Sequence, residues 1–223
     1  MTTDHPHLPG ENVRLVTEGL GKRFQHEWIF RDLTYEFQGG KTYAVTGPNG
    51  SGKSTLLQVL WGQMPPTAGR ISYHIASHTI PVENIHRHVG IATPYMDLIE
   101  EFTLKELLHF HFGMRTIRPG MTTSELLHIL YLEDSADKFI GNFSSGMKQR
   151  VKLGLAFYTQ APILYLDEPG SNLDRHAFDW YLAELRKVPA ETLIFIASND
   201  PEEYPTQSEI ISMTELKPTR KHL

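Results

Sequence analysis

Short apolar runs alternate with longer amphipathic stretches along this chain of 223 residues. Runs rich in β-branched and aromatic residues predict strands, and apolar residues at helical spacing predict helices. The predicted strands cover residues 13–17, 33–37, 41–46, 69–73, 88–93, 163–167 and 192–197. The predicted helices are one that ends at Gly62, two between Thr103 and about Leu132, and one each over 145–160 and 176–187.

The order of these elements indicates the fold class. In the second half of the chain strands alternate with helices, which is typical of an α/β protein whose mainly parallel sheet is covered on both faces. The first three strands, with the turn-forming pair Gly39 and Gly40 among them, predict an antiparallel β start. We therefore predict one domain over residues 1–223, with a helical subdomain at about 95–160 inserted into the α/β core.

Composition narrows the class of protein but indicates no activity. Hydrophobic residues make up 40% of the chain and the formal net charge is −5, so we expect a globular protein and no nucleic-acid partner. The chain has no cysteine, which excludes disulfides, thiolate metal sites and a cysteine nucleophile. Its twelve histidines match no zinc-binding spacing. Residues 1–12 lack the pattern of a signal peptide, and the charge-free stretch 153–166 is too short to span a bilayer.

A phosphate-binding loop is predicted where the third strand meets the first helix. The segment GPNGSGKST matches the pattern G-x-x-x-x-G-K-[ST], whose glycines let successive backbone N–H groups point into one hollow at a helix N-terminus. Lys53 would reach the β- and γ-phosphates, and the Ser54 hydroxyl would bind Mg²⁺. The predicted binding residues are Gly47, Pro48, Asn49, Gly50, Ser51, Gly52, Lys53, Ser54 and Thr55. A glycine-rich turn without chemical function is the alternative.

An acidic pair follows the buried strand at 163–167. A magnesium nucleotide needs a carboxylate at the end of a strand next to the loop, and Asp167 occupies such a position. Glu168, one residue further, could polarise a water for in-line attack on the γ-phosphate. Strand ends are often polar, so the pair is weak evidence alone and becomes strong when combined with the loop.

Two further segments carry a resemblance to a known family. FSSGMKQR, residues 143–150, lies between the loop and the acidic pair, and SNLD, residues 171–174, follows the pair. With the loop and Asp167-Glu168-Pro169 in this order, they resemble the motifs of the ATP-binding cassette (ABC) ATPases. The similarity extends from about Val13 to Met213 and implies the P-loop NTPase fold with a helical signature subdomain.

The resemblance also implies ligands and partners. In that family the signature binds the γ-phosphate held by a second subunit, so two ATP and Mg²⁺ lie in a head-to-tail dimer. It therefore implies ATP-binding roles for Ser144, Ser145, Gly146 and Asp174, in a homodimer or with a paired ABC subunit. An aromatic residue before the loop stacks on adenine in the family, which implicates Phe24, with Trp28 as a second candidate. A separate transmembrane permease, docked through 94–115, would hold the chain at the cytoplasmic face of the cell membrane.

Two positions depart from the family pattern. The family has a glutamine after the strand that ends near residue 93, where this chain has Pro94 or Tyr95. It also has a histidine that contacts the γ-phosphate, where this chain has Asn199 in Ser198-Asn199-Asp200. Asparagine can donate a hydrogen bond but has no protonatable ring. The predicted catalytic residues are thus Glu168 and Asn199, and the two departures predict slow or asymmetric hydrolysis.

The preferred interpretation is an ATP-hydrolysing subunit of an ABC transporter. Two alternatives stay open at this point. The same motifs fit a soluble ABC ATPase that powers assembly or membrane remodelling. The departures fit a degenerate module that senses ATP.

Overall fold

Two β-sheets and the helices packed on them form the fold in the computed structural model, which describes residues 12–217. The strands are β1 (Val13–Phe24), β2 (Glu27–Gln38), β3 (Thr42–Thr46), β4 (Ala68–Ile75), β5 (His78–Ile80), β6 (Val89–Ala92), β7 (Ile163–Asp167), β8 (Leu193–Ala197) and β9 (Glu209–Ser212). The α-helices are α1 (Lys53–Leu60), α2 (Leu104–Met114), α3 (Thr123–Ile129), α4 (Ser145–Tyr158), α5 (Arg175–Leu185) and α6 (Met213–Leu216). Short 3-10 helices cover Val82–His88, Glu133–Ser135, Ile140–Asn142 and Pro201–Glu203. Residues 1–11, on which the signal-peptide prediction rests, lie outside the described residues.

The larger sheet has five parallel strands in the order β6-β7-β8-β3-β9. Alternate residues of β7 enter opposite apolar clusters: Ile163 and Tyr165 lie in the cluster that includes α1, and Leu164 and Leu166 lie in the one that includes α4 and α5. Because both faces are covered, the strand reads as one continuous apolar run. The predicted α/β class with a mainly parallel sheet is confirmed. Strands β3, β7 and β8 end at the same edge of this sheet.

The smaller sheet is antiparallel, in the order β2-β1-β4-β5. It confirms the predicted antiparallel β part, but the prediction that 41–46 belongs to it is wrong: that segment is β3, which pairs in parallel with β8 and β9. The predicted strands 13–17 and 33–37 are also too short. Register shifts after Thr17 and a positive φ at Gly19 and Asp32 interrupt the alternating pattern of β1 and β2 without ending the strands.

Helices α2, α3 and α4 lie where the sequence predicts them. Thr103 and Thr122 each start a helix with a capping box, in which the threonine and a glutamate three residues later bond each other's backbone N–H. Leu107, Leu126 and Leu130 pack in the apolar cluster that also holds α4. The division into one domain with an inserted 95–160 subdomain stays a prediction. Within residues 12–217, none of the helices combines the length and the apolar character that crossing a membrane requires.

Candidate functional site

The loop between β3 and α1 holds the predicted phosphate-binding residues. Gly47, Gly50 and Gly52 have φ angles of 145°, 76° and 101°, which residues with side chains rarely adopt. Within the loop the Ser51 N–H donates to the Pro48 carbonyl at 3.0 Å. The loop runs directly into α1, so it ends on helix N–H groups that have no partner inside the helix and attract anions.

The side chains of the loop differ in exposure. Lys53 is 5% exposed, and its Nζ donates to the Gly47 carbonyl at 3.0 Å. Ser54 and Thr55 are half-buried in the first turn of α1, whereas Pro48, Asn49 and Gly50 are exposed. The ammonium group is therefore held inside the curve of the loop, beneath its exposed residues.

The buried carboxylate of Asp167 lies beside the first turn of α1. Asp167 ends β7, is 1% exposed, and accepts a hydrogen bond from Ser54. Burial raises its pKa and the charge of Glu168 adds to this, whereas the Ser54 hydroxyl and the Lys53 ammonium lower it. Among the described residues, its Oδ1 has no hydrogen-bond partner. A buried carboxylate oxygen without a partner is rare, and it fits a site that receives a cation.

Glu168 has a strained backbone next to this carboxylate. Its φ is 47°, an unusual value for a residue with a side chain, and its N–H donates to the Ala197 carbonyl at 2.8 Å. The hydrogen bond fixes the end of β7 to the end of β8. The side chain is exposed.

Asn199 contacts the phosphate-binding loop directly. Its Nδ2 donates to Asn49 Oδ1 at 2.8 Å, so the structure brings together residues that are 150 positions apart. The strand end is fixed by the Ser198 N–H, which donates to the Val45 carbonyl at 3.1 Å. Ser198 also accepts from the Asp200 N–H at 2.9 Å. The structure therefore places Asn199 at the loop, and its contact with a γ-phosphate stays a prediction.

The predicted signature residues form the start of α4. Ser144 is the N-cap, and its Oγ accepts from the Met147 N–H at 3.2 Å. Ser145 is the first helical residue, and both serines are exposed. Gly146 follows, where a Cβ would lie 2.9 Å from the Asn172 carbonyl oxygen. The start of α4 is thus packed against segment 171–174 and leaves its serines open to solvent.

Asp174 serves as the N-cap of α5. Its Oδ1 accepts from the Ala177 N–H at 2.8 Å. Helix capping alone is therefore enough to explain an aspartate at position 174. A contact between Asp174 and ATP stays a prediction.

Phe24 and Trp28 lie on either side of the turn between β1 and β2. Phe24 is 45% exposed, with the Lys22 ammonium 5.4 Å from its ring centroid. The Trp28 ring is flanked by the guanidinium groups of Arg23 and Arg31 at 5.4 and 5.0 Å. Phe24 therefore has the freer ring face, and stacking on adenine stays a prediction.

Sequence reasoning missed two residues of α4 that contact the segments around the site. Gln149 is buried, and its Nε2 donates to the Pro169 carbonyl at 3.0 Å. Lys152 Nζ donates to the carbonyls of Thr93 and Pro94 at 3.3 and 3.0 Å. The sequence did carry a signal for Gln149, because a polar residue on the apolar face of a helix indicates a buried hydrogen bond. Tyr95, the other residue at the expected glutamine position, is 76% exposed.

A groove runs along β6, the edge strand of the larger sheet in the described part of the chain. Its volume is about 400 Å³, and its lining includes residues 96–99 with Leu107, Phe110, His111 and Arg115. His111 Nε2 and the Thr159 hydroxyl are 2.8 Å apart in this groove, and burial lowers the pKa of His111 to about 4. Arg115 donates to the carbonyls of His86 and Val89 and so fixes α2 to β6. The groove coincides with the region predicted to dock a permease.

The fold and the site together define a P-loop nucleotide-binding protein. Solved structures share this fold. An ABC transporter ATP-binding protein from Pyrococcus furiosus superposes with a TM-score of 0.75 at 18% identity, covering 92% of this chain and 100% of that one. The ATP-binding subunit of an ABC transporter superposes with a TM-score of 0.70 at 28% identity, covering 82% and 78%.

Sequence comparisons identify the family. The ABC transporter family model matches residues 30–171, and this chain belongs to that family. The Nod factor export ATP-binding protein I of Burkholderia lata is 35% identical over 174 residues, 76% of this chain and 57% of the relative. The sulfate/thiosulfate import ATP-binding protein of Synechocystis is 30% identical over 208 residues, 91% of this chain and 58% of the relative. The chain spans little more than half the length of these relatives. Family membership supports ATP as the ligand of the loop.

Proposed function

We propose that this chain binds and hydrolyses ATP with Mg²⁺ and drives a separate membrane permease. The observation that carries the proposal is Asp167, a buried carboxylate that accepts from the Ser54 hydroxyl, interacts with the Lys53 charge, and has one oxygen without a partner among residues 12–217. Such a group destabilises a fold unless a ligand uses it. A magnesium nucleotide on the adjoining loop is the ligand of matching charge.

Ser54 and Asp167 would hold the Mg²⁺. Hydroxyl and carboxylate oxygens are the ligands that this ion prefers, and Oδ1 of Asp167, which no described residue bonds, fits that use. When bound, the ion would neutralise charge on the phosphate oxygens. The backbone N–H groups of the glycine-rich loop would bind those phosphates, with Lys53 held among them.

Glu168 and Asn199 would act on the attacking water and the γ-phosphate. Glu168 follows the Mg²⁺ ligand, is exposed, and is fixed by its N–H to β8, so its carboxylate can orient a water. Asn199 already donates its amide to the loop at Asn49, and the same amide can donate to a phosphate oxygen. An amide cannot exchange a proton as a histidine can, so we expect slow turnover.

A second subunit would complete each site. Ser144, Ser145 and Gly146 start α4 with exposed serines and helix N–H groups that can bind the γ-phosphate of a partner's ATP. Because one chain supplies the loop and the other the signature, two chains would enclose two nucleotides head to tail. One of the solved structures with this fold is a dimeric cassette, at 20% identity and a TM-score of 0.73.

The groove at β6 would receive the permease. It is apolar, lies in the segment predicted for docking, and exposes 44% of Phe110. Docking would hold the chain on the cytoplasmic face of the membrane. The relatives include both an export and an import ATP-binding protein, so the motifs that they share with this chain do not determine the direction of transport.

Single-turnover hydrolysis tests the enzymatic part of the proposal. Purified chain, alone and with its permease, is mixed with less than one equivalent of labelled ATP and Mg²⁺. We expect wild type to release phosphate faster than Glu168→Gln, with the exposed Glu101→Gln as a control that matches wild type. If wild type is no faster than Glu168→Gln, hydrolysis is refuted and an ATP-sensing module takes its place.

Size-exclusion chromatography tests the dimer. Glu168→Gln with ATP and Mg²⁺ should elute as a dimer, because bound ATP is not consumed. Adding Ser144→Glu should restore the monomer, since it places a negative charge where the partner's γ-phosphate would bind. A dimer that survives this second change would contradict the role of α4.

Co-purification with a multi-span membrane protein tests docking. Phe110→Asp should abolish it and leave ATP binding unchanged, because the groove is separate from the loop. Ile210→Asp is the matched control, since Ile210 is an apolar residue on β9 that is 54% exposed. Equal recovery of the membrane protein with both variants would refute docking at the groove and favour a soluble assembly ATPase.

A further inference from the structure

Glu203 is a buried acid that the proposed mechanism does not use. It is 8% exposed and ends the 3-10 helix that follows Asp200. Its Oε1 accepts from the Gly170 N–H at 3.2 Å, and among the residues that the structure describes its Oε2 has no hydrogen-bond partner. The Tyr181 hydroxyl donates to its backbone carbonyl at 2.6 Å and so anchors the main chain.

The charges near Glu203 oppose its ionised form. Burial raises its pKa, the Ser198 hydroxyl lowers it, and the carboxylates of Asp200 and Glu168 raise it further. Burial and these negative neighbours make the ionised carboxylate costly, so its charge does not explain why a glutamate stands here.

The contacts of Glu203 join the two segments that carry the proposed catalytic groups. Gly170 lies two residues after Glu168, and Glu203 itself lies in the 3-10 helix after β8, four residues beyond Asn199. Gly170 approaches so closely that a Cβ there would overlap the Glu203 carboxylate. The carboxylate therefore acts as a bridge between the turn after β7 and the turn after β8.

We propose that Glu203 is a positioning residue for ATP hydrolysis. By accepting the Gly170 N–H, it keeps the turn that contains Glu168 at a fixed position relative to the turn that contains Asn199. The inference rests on the proposed function, since it presumes that these two residues act on the same γ-phosphate. An acceptor oxygen is what the bridge requires. The negative charge is not needed, and both neighbouring acids oppose it.

Two substitutions separate the acceptor from the charge. Glu203→Met has a similar length and no acceptor, so the Gly170 N–H loses its partner. We expect its kcat to fall by about tenfold to a hundredfold with KM for ATP unchanged, because a misplaced catalytic group lowers the rate of chemistry without weakening binding. Glu203→Gln keeps an oxygen for Gly170, and we expect its kcat within about threefold of wild type.

Glu184→Met is the matched control. Glu184 is also a buried glutamate, bonded to Tyr158 and Lys187 at the far end of α5. The Glu184→Met variant should show a melting temperature as low as that of Glu203→Met, with the kcat of wild type. Steady-state hydrolysis and binding of a fluorescent ATP analogue by the full chain, with melting curves for all variants, give the readouts.

The outcomes distinguish the inference from the proposed function. A wild type that hydrolyses ATP while Glu203→Met matches its kcat refutes the positioning role. The role is also refuted if Glu203→Gln loses as much activity as Glu203→Met, or if KM rises in proportion to the loss of kcat. A wild type that does not hydrolyse ATP refutes the proposed function itself.

Discussion

Replacing Gly52 by alanine perturbs the phosphate-binding loop in two ways. The φ of Gly52 is 101°, and a residue with a Cβ in left-handed backbone costs about 1–2 kcal/mol. The new Cβ would also overlap the Cγ2 methyl of Ile29 on β2, and overpacking of this kind costs about 1–3 kcal/mol. We therefore expect Gly52→Ala to lower the free energy of unfolding by about 2–5 kcal/mol and to weaken ATP binding, since the loop must move to relieve the overlap.

Urea denaturation of the nucleotide-free chain measures this loss, and two variants separate its causes. Gly50→Ala places a Cβ at a φ of 76° with no described heavy atom within 4 Å, so it should cost about 1 kcal/mol from the backbone alone. In an Ile29→Ala background the overlap is absent, so Gly52→Ala should lower the free energy of unfolding by about 1–3 kcal/mol less than it does in wild type. If Gly52→Ala is within about 0.5 kcal/mol of wild type, or shows no coupling to Ile29, the reasoning fails.

Three further substitutions have defined outcomes. Asn199→His should speed single-turnover hydrolysis and Asn199→Ala should slow it; if neither changes the rate, Asn199 is structural. Gln149→Leu leaves the buried Pro169 carbonyl unpaired and should lower the free energy of unfolding by about 1–3 kcal/mol, which urea denaturation would contradict if no loss appeared. Because the pKa of His111 falls to about 4, the unfolded chain binds a proton between pH 6.5 and 4 that the folded chain excludes. The free energy of unfolding should therefore fall by about 2 kcal/mol as the pH is lowered from 6.5 to 4. His111→Gln should reduce this fall, and a pH profile of stability that the substitution leaves unchanged would refute the lowered pKa of His111.

The sequence predicted those parts of the fold that depend on local signals. The loop at 47–55, the helical spacing of apolar residues between Thr103 and about Leu132, and the apolar run of β7 each carry a local pattern that predicts one kind of structure. The boundaries of β1 and β2 were missed because Gly19 and Asp32 adopt positive φ within continuous strands. The pairing of β3 was missed because its partner β8 lies about 150 residues later, and no local pattern states which strands pair.

The candidate site shows the same limit. Lys53, Asp167 and Asn199 could be predicted as site residues because each stands at a fixed place in a motif, at the end of a strand or the start of a helix; their roles stay predictions. Glu203 and Lys152 were missed because their roles arise from contacts with backbone groups far along the chain. Backbone groups are present at every position, so the sequence gives no sign of which ones a side chain will reach.

Helix α4 contacts the turn after β6, near the groove, and the turn after β7, which contains Glu168. It starts with the signature serines, and within its first eight residues Gln149 contacts the turn after β7 and Lys152 contacts the turn after β6. These contacts go to backbone carbonyls, so they depend on the positions of the turns and not on the side chains at Pro94 and Tyr95. A displacement of the turn at 93–94 by a docked partner would act on α4 through Lys152, and on the turn of Glu168 through Gln149. Under the proposed function, α4 would couple the groove to the turn of Glu168 through these two contacts, with no glutamine at position 94 or 95.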